Sequence, residues 1–196
     1  MSVNLQKGQK VDLRKSDGNA LRFVMVGLGW DEAERKRGFF APKPQTIDCD
    51  ATVFLLTDGK LRDSSDIVYY NNLAHKSGAV RHMGDNLTGA GEGDDEQILV
   101  ELNKLPETYD RLVFVVNIYR AAEKKQHFGM IRNAFIRVCD GDNNQELCRY
   151  NLSENYDGMT AMVCGEVYRR NGSWKFNAIG QATTDGSISA LAKRYQ

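Results

Sequence analysis

The sequence predicts an all-β fold, an antiparallel β-sandwich with a few short helices at its periphery. Nine or ten short strand-like segments follow one another along the 196 residues, and turn-forming dipeptides such as Asp58-Gly59 and Asn171-Gly172 separate them. Segments of helical composition are few, and no linker or change of composition divides the chain. We therefore expect residues 1–196 to form one domain in which antiparallel sheets pack face to face.

The first half of the chain predicts five short strands. Residues 3–13 alternate loosely between apolar and polar side chains around a Lys-Gly turn, which indicates two of them. Residues 21–30 and 47–56 are longer apolar runs, and residues 67–70 form a short strand. Residues 31–45 combine mixed charge with two of the three prolines, which predicts a surface loop.

The second half of the chain predicts a central strand and two hairpins. Residues 111–119 are the most apolar stretch, which indicates a strand that is covered on both faces. Residues 97–102 alternate between apolar and polar side chains and should form the strand before it. The hairpin strands are 133–139 with 146–150 and 160–168 with 173–180, and short helices are predicted over 121–131 and 188–195.

The most unusual stretch is the acidic segment, residues 84–96. It contains five carboxylates and four glycines but no lysine or arginine, so its charges repel one another while its backbone can turn tightly. A hard dication such as Ca²⁺, which binds carboxylate and carbonyl oxygens, would offset that repulsion. The alternative is an acidic loop that is simply solvated. The carboxylates are those of Asp85, Glu92, Asp94, Asp95 and Glu96.

Two further pairs of oxygen-bearing side chains have the chemistry of a cation site. Asp48 and Asp50 are two residues apart, so in a strand both project from the same face, next to residues typical of a core. Two carboxylates there are costly unless a cation pairs with them or that face borders solvent. Asn71 and Asn72 offer amide oxygens to a hard cation, and they are equally typical of a turn.

Composition and motifs argue against several classes of function. Basic and acidic residues number 26 each, so no nucleic-acid partner is expected. The chain shows no secretory signal and no apolar run long enough to span a membrane, which predicts a cytoplasmic protein. No nucleotide-binding, hydrolase or zinc-protease motif is present.

The cysteines are expected to be buried or half-buried thiols, which the reducing cytosol keeps free. Cys139 and Cys148 flank a turn and could face each other across a hairpin, but no regular spacing indicates a disulfide framework or a zinc site. The other two cysteines are Cys49 and Cys164.

Several motifs resemble those of a known family. The paired aspartates lie in Asp48-Cys-Asp-Ala51 and the paired asparagines in Tyr70-Asn-Asn-Leu73. Residues 78–89 are Gly-Ala-Val-Arg-His-Met-Gly-Asp-Asn-Leu-Thr-Gly, and residues 91–96 are Gly-Glu-Gly-Asp-Asp-Glu. In these motifs, and over nearly its whole length, the sequence resembles the TerD-type tellurium-resistance and stress-response proteins of bacteria.

That resemblance implies a cytoplasmic β-sandwich that binds Ca²⁺ in an acidic pocket at one end. It also implies a role in resistance to tellurite and to other stresses, phage and pore-forming colicins among them. Ten oxygen donors suit two adjacent Ca²⁺ ions better than one. The ligand positions that the resemblance implies are Asp48, Asp50, Asn71, Asn72, Asp85, Asn86, Glu92, Asp94, Asp95 and Glu96.

The leading hypothesis is therefore a non-catalytic Ca²⁺-binding protein whose acidic end changes charge and rigidity with the ion. Its expected partners are other stress-response proteins, paralogues of the same family among them, and the inner surface of the membrane. The alternative is an enzyme, or a protein that handles tellurium oxyanions directly through its thiols. Under the leading hypothesis, Asp94→Ala or Asp95→Ala should weaken Ca²⁺ binding and slightly stabilise the ion-free protein by relieving repulsion.

Overall fold

The computed structural model describes residues 2–15, 17–32, 46–84 and 93–196. Within these residues the chain forms two six-stranded sheets. The strands are β1 (Val3–Leu5), β2 (Lys10–Asp12), β3 (Phe23–Glu32), β4 (Cys49–Leu56), β5 (Ile67–Val68), β6 (Val80–His82), β7 (Glu96–Glu101), β8 (Arg111–Ile118), β9 (Ile131–Asp140), β10 (Glu146–Asn151), β11 (Ala161–Arg170) and β12 (Ser173–Thr183).

The helices that the structure describes are short. They are α1 (Ala121–Lys124) and α2 (Ile188–Ala192), with 3₁₀ turns at Ser64–Asp66, Phe128–Met130 and Lys193–Tyr195. Within the described ranges, none of them has the length and apolar character to cross a membrane.

The first sheet has the strand order β1-β10-β9-β3-β7-β6, and the second has the order β2-β12-β11-β8-β4-β5. Neighbouring strands are antiparallel throughout except for β1 and β10, which run parallel. The predicted all-β, antiparallel sandwich is therefore confirmed.

The hydrophobic core lies between the two sheets and is built from alternate residues of their strands. Val24, Val26 and Leu28 of β3 belong to the same buried cluster as Val53 and Leu55 of β4. The residues between these positions project to the outer faces, because successive side chains of a strand point in opposite directions. The core residues of a strand thus fix which of its polar side chains reach an outer surface.

The outer face of the second sheet is covered as well. Phe54 of β4 packs there with Val113 and Val115 of β8 and with Leu191 of α2. Every residue of β8 after Arg111 is buried. The prediction of a central strand covered on both faces is therefore confirmed.

The helix predicted over residues 121–131 is shorter than expected. It ends at Lys124, because Lys125 adopts the left-handed conformation with φ of 52°. Phe128 is buried in the core and begins a 3₁₀ turn instead. Burial of the Phe128 side chain in the core thus outweighs the helix propensity of the segment.

Two other predicted boundaries change. The strand predicted over residues 67–70 ends at Val68, because Tyr69 and Asn72 close a turn. The loop predicted over residues 31–45 starts later, because β3 extends to Glu32. Its remaining residues, 33–45, lie outside the described part of the chain.

The two short strands predicted near the N-terminus are present, but they belong to different sheets. β1 pairs with β10 of the first sheet, and β2 pairs with β12 of the second. Between them, the Gly8 N–H donates to the Ala178 carbonyl at 2.7 Å, and the Ala178 N–H donates to the Gln9 carbonyl at 3.0 Å. Residues 6–9 therefore cross from one sheet to the other.

Candidate metal centre

The predicted ligands that the structure describes lie on three elements. Two lie at the start of β4, two in the turn after β5, and three where the chain enters β7. The remaining predicted ligands, Asp85, Asn86 and Glu92, lie outside the described residues.

The two aspartates at the start of β4 have different environments. Asp50 lies on the outer face of the second sheet, where its cross-strand neighbour Asn117 donates from Nδ2 to Oδ2 at 3.4 Å. Asp50 is only 4% exposed, so most of its surface is removed from solvent. Asp48 is partly exposed, and the Lys124 Nζ lies 3.9 Å from its Oδ2.

Asp94 lies across the outer face of the first sheet. Its carboxylate accepts hydrogen bonds from Arg137 Nε at 2.7 Å, from Arg137 Nη2 at 2.9 Å and from Gln97 Nε2 at 3.0 Å. These two donors flank Gly27 in the sheet, and a Cβ on Gly27 would lie 2.3 Å from the carboxylate. Asp94 is therefore bound to the sheet, and only glycine leaves room for it at position 27.

Asp95 lies beside the end of β3. Its N–H donates to the Leu28 carbonyl at 2.8 Å, and its Oδ2 accepts from the Trp30 N–H at 2.7 Å. Burial raises the pKa of Asp95, the Trp30 hydrogen bond lowers it, and the charges of Asp31 and Asp94 raise it, so that the net shift is upward. A cation at this carboxylate would favour its ionised form.

Glu96 connects the two sheets. Its buried Oε2 accepts from the Ala51 N–H of β4 at 2.6 Å and lies 3.3 Å from His82 Nε2. The Gly84 N–H donates to His82 Nδ1 at 3.1 Å, which places the ring proton on Nε2, where it faces Glu96 and the Ala51 carbonyl. His82 is thus a buried partner of a predicted ligand, whereas the sequence alone gave no way to distinguish it from a surface histidine.

Asn71 and Asn72 lie in a tight turn. The Asn72 N–H donates to the Tyr69 carbonyl at 2.8 Å, and the Tyr69 N–H donates back to the Asn72 carbonyl at 3.1 Å. Asn72 Nδ2 also donates to the Ile67 carbonyl at 2.6 Å. Asn72 therefore has the contacts of a turn residue, while the exposed Asn71 lines a pocket together with Asp50.

Four of the predicted ligands contribute negative charge around Cys49, whose side chain is buried in the core. Burial raises the pKa of Cys49 well above its usual range, and the charges of Asp50, Glu96, Asp48 and Asp95 raise it further. All four are hard oxygen donors of the kind that Ca²⁺ prefers over softer ligands. Within the described ranges, no three histidine, cysteine or acidic side chains are grouped so that they could hold one ion. A site here therefore needs further donors, such as those of residues 85–92.

The four cysteines are free and buried, as predicted. Burial raises the pKa of Cys148 and of Cys164, each to about 12. Cys148 lies opposite Val138 and shares the inner core with it, whereas Cys139, the next residue of β9, lies outside that core. The two sulfurs of the hairpin thus lie on opposite faces of the sheet and cannot form a disulfide in this arrangement.

Comparison with known proteins gives consistent matches. The family model described as TerD domain matches residues 1–195. The Stress response protein SCP2 of Bacillus subtilis (strain 168) is 47% identical over 199 aligned residues that cover all of both chains. The Tellurium resistance protein TerD of Serratia marcescens is 45% identical, with 98% of this chain and 97% of that protein covered.

A solved structure has the same fold. It is the crystal structure of a homologue of telluride resistance protein (TerD) from Streptomyces coelicolor A3(2), which matches with a TM-score of 0.66 at 20% identity. The match covers 90% of this chain and 99% of that one.

Proposed function

The chain belongs to the TerD domain family of tellurium-resistance and stress-response proteins, and from this membership we propose that it is a non-catalytic, cytoplasmic protein that binds two Ca²⁺ ions. We place the ions where the acidic segment meets the start of β4. When bound, Ca²⁺ would supply positive charge and join oxygen ligands from separate segments.

The observation that carries this proposal is the hydrogen bond of 2.6 Å from the Ala51 N–H to the buried Glu96 carboxylate, which brings Glu96 beside the end of β4 that carries Asp48 and Asp50. Carboxylates brought together from two different sheets are costly without positive charge. The acidic segment adds the oxygens of Asp85, Asn86 and Glu92 to the proposed ligand set, and the turn after β5 adds those of Asn71 and Asn72.

The residues that end the acidic segment connect it to both sheets. Asp94 is bound to Arg137 of the first sheet, and Glu96 is bound to the Ala51 N–H of the second. Asp94 would have to exchange its contact with Arg137 to coordinate an ion directly, so we place it at the periphery of the site. Binding of an ion to the segment would thus act on both sheets.

The proposed role follows from the charge of the segment. Its five carboxylates repel any anionic surface, and two dications would offset about four of these five negative charges. We propose that this change controls contact with other stress-response proteins, including paralogues, or with the inner surface of the membrane.

Isothermal titration calorimetry on chelator-treated protein tests Ca²⁺ binding directly. We expect saturable binding with a Kd within the range of about 10⁻⁹ to 10⁻³ M that protein Ca²⁺ sites span. Asp95→Asn should weaken binding at least about tenfold, because it removes a charged ligand. Asp58→Asn, which changes an exposed aspartate in the turn after β4, is the matched control and should bind as the wild type does. Absence of saturable binding in the wild-type protein would rule out the proposal.

A further inference from the structure

The outer face of the second sheet carries a pocket whose walls include three tyrosines. Its volume is about 440 Å³, which falls within the range of small-molecule sites. The Tyr69 and Tyr70 ring centroids are 5.2 Å apart at 81°, and those of Tyr70 and Tyr119 are 6.5 Å apart at 85°. Because successive rings are nearly perpendicular, they can contact one ligand from different sides, as the rings of an aromatic cage contact a cation.

The most buried polar side chains that line this pocket are Asp50 and Asn117, which are 4% and 5% exposed. Asn117 donates its amide to Asp50, while its Oδ1 is buried and accepts no hydrogen bond from the residues described. An unsatisfied buried acceptor is costly. The base of the pocket thus offers a carboxylate and an acceptor, which suit a ligand that carries positive charge and donates hydrogen bonds.

Two basic residues lie near the pocket, and each has a partner within the protein. Arg120 lines it, but its guanidinium is held by the Glu123 carboxylate through bonds of 2.5 and 2.7 Å. The Lys124 ammonium lies 5.4 Å from the centroid of the Tyr119 ring. Tyr119 therefore already has a cation as a neighbour, and the chain's own cations lie at the rim of the pocket.

We propose that this pocket binds a small aliphatic primary amine in its ammonium form. The ammonium group would donate to Asp50 and to Asn117 Oδ1, while the adjoining alkyl chain would contact the tyrosine rings and Ile67, which also lines the pocket. The pocket shares Asp50 and Asn71 with the proposed Ca²⁺ ligands, so amine binding has to be measured with the metal removed. Experiments in the presence of a chelator therefore separate the two proposals.

The test is an NMR titration of the full-length, chelator-treated protein with 1-butylamine. We expect saturable shifts at the side-chain amides of Asn117 and Asn71. Butanol has a similar length but no charge, and tetramethylammonium has the charge but no N–H donor, so both should bind at least about tenfold more weakly than butylamine. Equal affinity for butanol and butylamine would overturn the proposal, as would the absence of shifts at the pocket residues.

Variants provide the second part of the test. Tyr119 is 41% exposed, so Tyr119→Ala should fold normally and weaken butylamine binding by about 3- to 10-fold through the lost apolar contact with the alkyl chain. Asp58→Asn lies outside the pocket and should leave the affinity unchanged. A folded Tyr119→Ala protein with wild-type affinity would show that the Tyr119 ring does not contact the bound amine, and it would overturn this part of the proposal. Tighter binding of Nα-acetyl-lysine N-methylamide than of butylamine would instead identify a lysine side chain of another protein as the ligand.

Discussion

Arg137 holds both oxygens of the Asp94 carboxylate, at 2.7 and 2.9 Å, directly above the bare backbone of Gly27. The Asp94 side chain is fully buried by this contact. The pair fixes the point at which the acidic segment joins β7, so its strength determines how firmly the segment is attached to the first sheet.

Replacing Arg137 should destabilise the protein more than a typical surface substitution. Arg137→Met leaves the buried Asp94 carboxylate with Gln97 as its remaining side-chain donor among the described residues, so we expect the free energy of unfolding to fall by about 3 kcal/mol. Urea denaturation in the presence of a chelator measures this change. Arg132→Met, at an exposed position of the same strand, should cost less than about 0.5 kcal/mol. Equal effects of the two variants would contradict the role given to the ion pair.

The same ion pair reverses one expectation drawn from the sequence. Like-charge repulsion alone predicts that Asp94→Ala stabilises the ion-free protein, whereas the contact with Arg137 predicts destabilisation. Asp95→Asn should still stabilise the ion-free protein, because burial and neighbouring charges raise the pKa of Asp95. Without Ca²⁺, the melting temperature of Asp94→Ala should therefore lie below that of the wild type, and the melting temperature of Asp95→Asn should lie above it.

Gly27→Ala should displace the ion pair without removing any charge. The added Cβ would lie 2.3 Å from the Asp94 carboxylate, and overpacking of this kind costs about 1–3 kcal/mol. Gly186→Ala is the matched control, since a Cβ there meets no atom within 4 Å. Chemical denaturation of both variants should show destabilisation at position 27 alone. A fully stable Gly27→Ala protein would mean that Asp94 can move at no cost.

Asp66 should contribute to acid unfolding. Burial raises its pKa, but hydrogen bonds from Lys76, Tyr109 and His75 lower it by more, so the net pKa is below the usual value. Because the folded state favours the ionised form of Asp66, this residue stabilises the fold at any pH above its unfolded pKa of about 3.9. The stabilisation is lost as the pH falls through the lower pKa that Asp66 has in the folded state.

The pH dependence of unfolding between about pH 2 and 6 measures this contribution. Asp66→Asn should flatten the rise in unfolding free energy over that range, and the exposed Asp58→Asn should not. If Asp66→Asn kept the full wild-type slope, Asp66 could not be the group responsible.

The thiols should be unreactive in the folded protein. All four are buried, and burial raises the pKa of Cys148 and Cys164 to about 12, so the thiolate that reacts is scarce near neutral pH. A thiol reagent such as DTNB should label all four in denaturant but label the native protein far more slowly.

A variant without cysteines should retain tellurite resistance. Fast native labelling together with lost resistance would favour the thiol-based alternative.

The fold could be predicted from the sequence because its signals are local. The alternation of residues 97–102 and the continuous apolar run of 111–119 each specify how a strand is buried, and Asn171-Gly172 specifies a hairpin turn. The helix at 121–131 was overestimated, because its composition says nothing of the core contact made by Phe128. Local composition carries no information about a distant packing partner.

The candidate site was only partly predictable, because its geometry depends on which strands become neighbours. The sequence identified Asp48, Asp95 and Glu96 as oxygen donors, and the negative charge of all three acts on the buried Cys49. It did not reveal that Arg137 binds Asp94, since that contact exists only where β9, β3 and β7 are adjacent. The lack of a side chain at Gly27 is the one sequence feature that could have indicated a close approach there.

The crossing of residues 6–9 between the sheets has a consequence for the solubility of the protein. One continuous N-terminal segment covers the backbone edges of both β10 and β12. A truncation that removed residues 3–12 would therefore leave two unpaired rows of amide and carbonyl groups side by side, each able to recruit a strand from another copy. We expect such a truncated chain to self-associate even with its core sequence intact, so the first dozen residues protect against aggregation while contributing few side chains to that core.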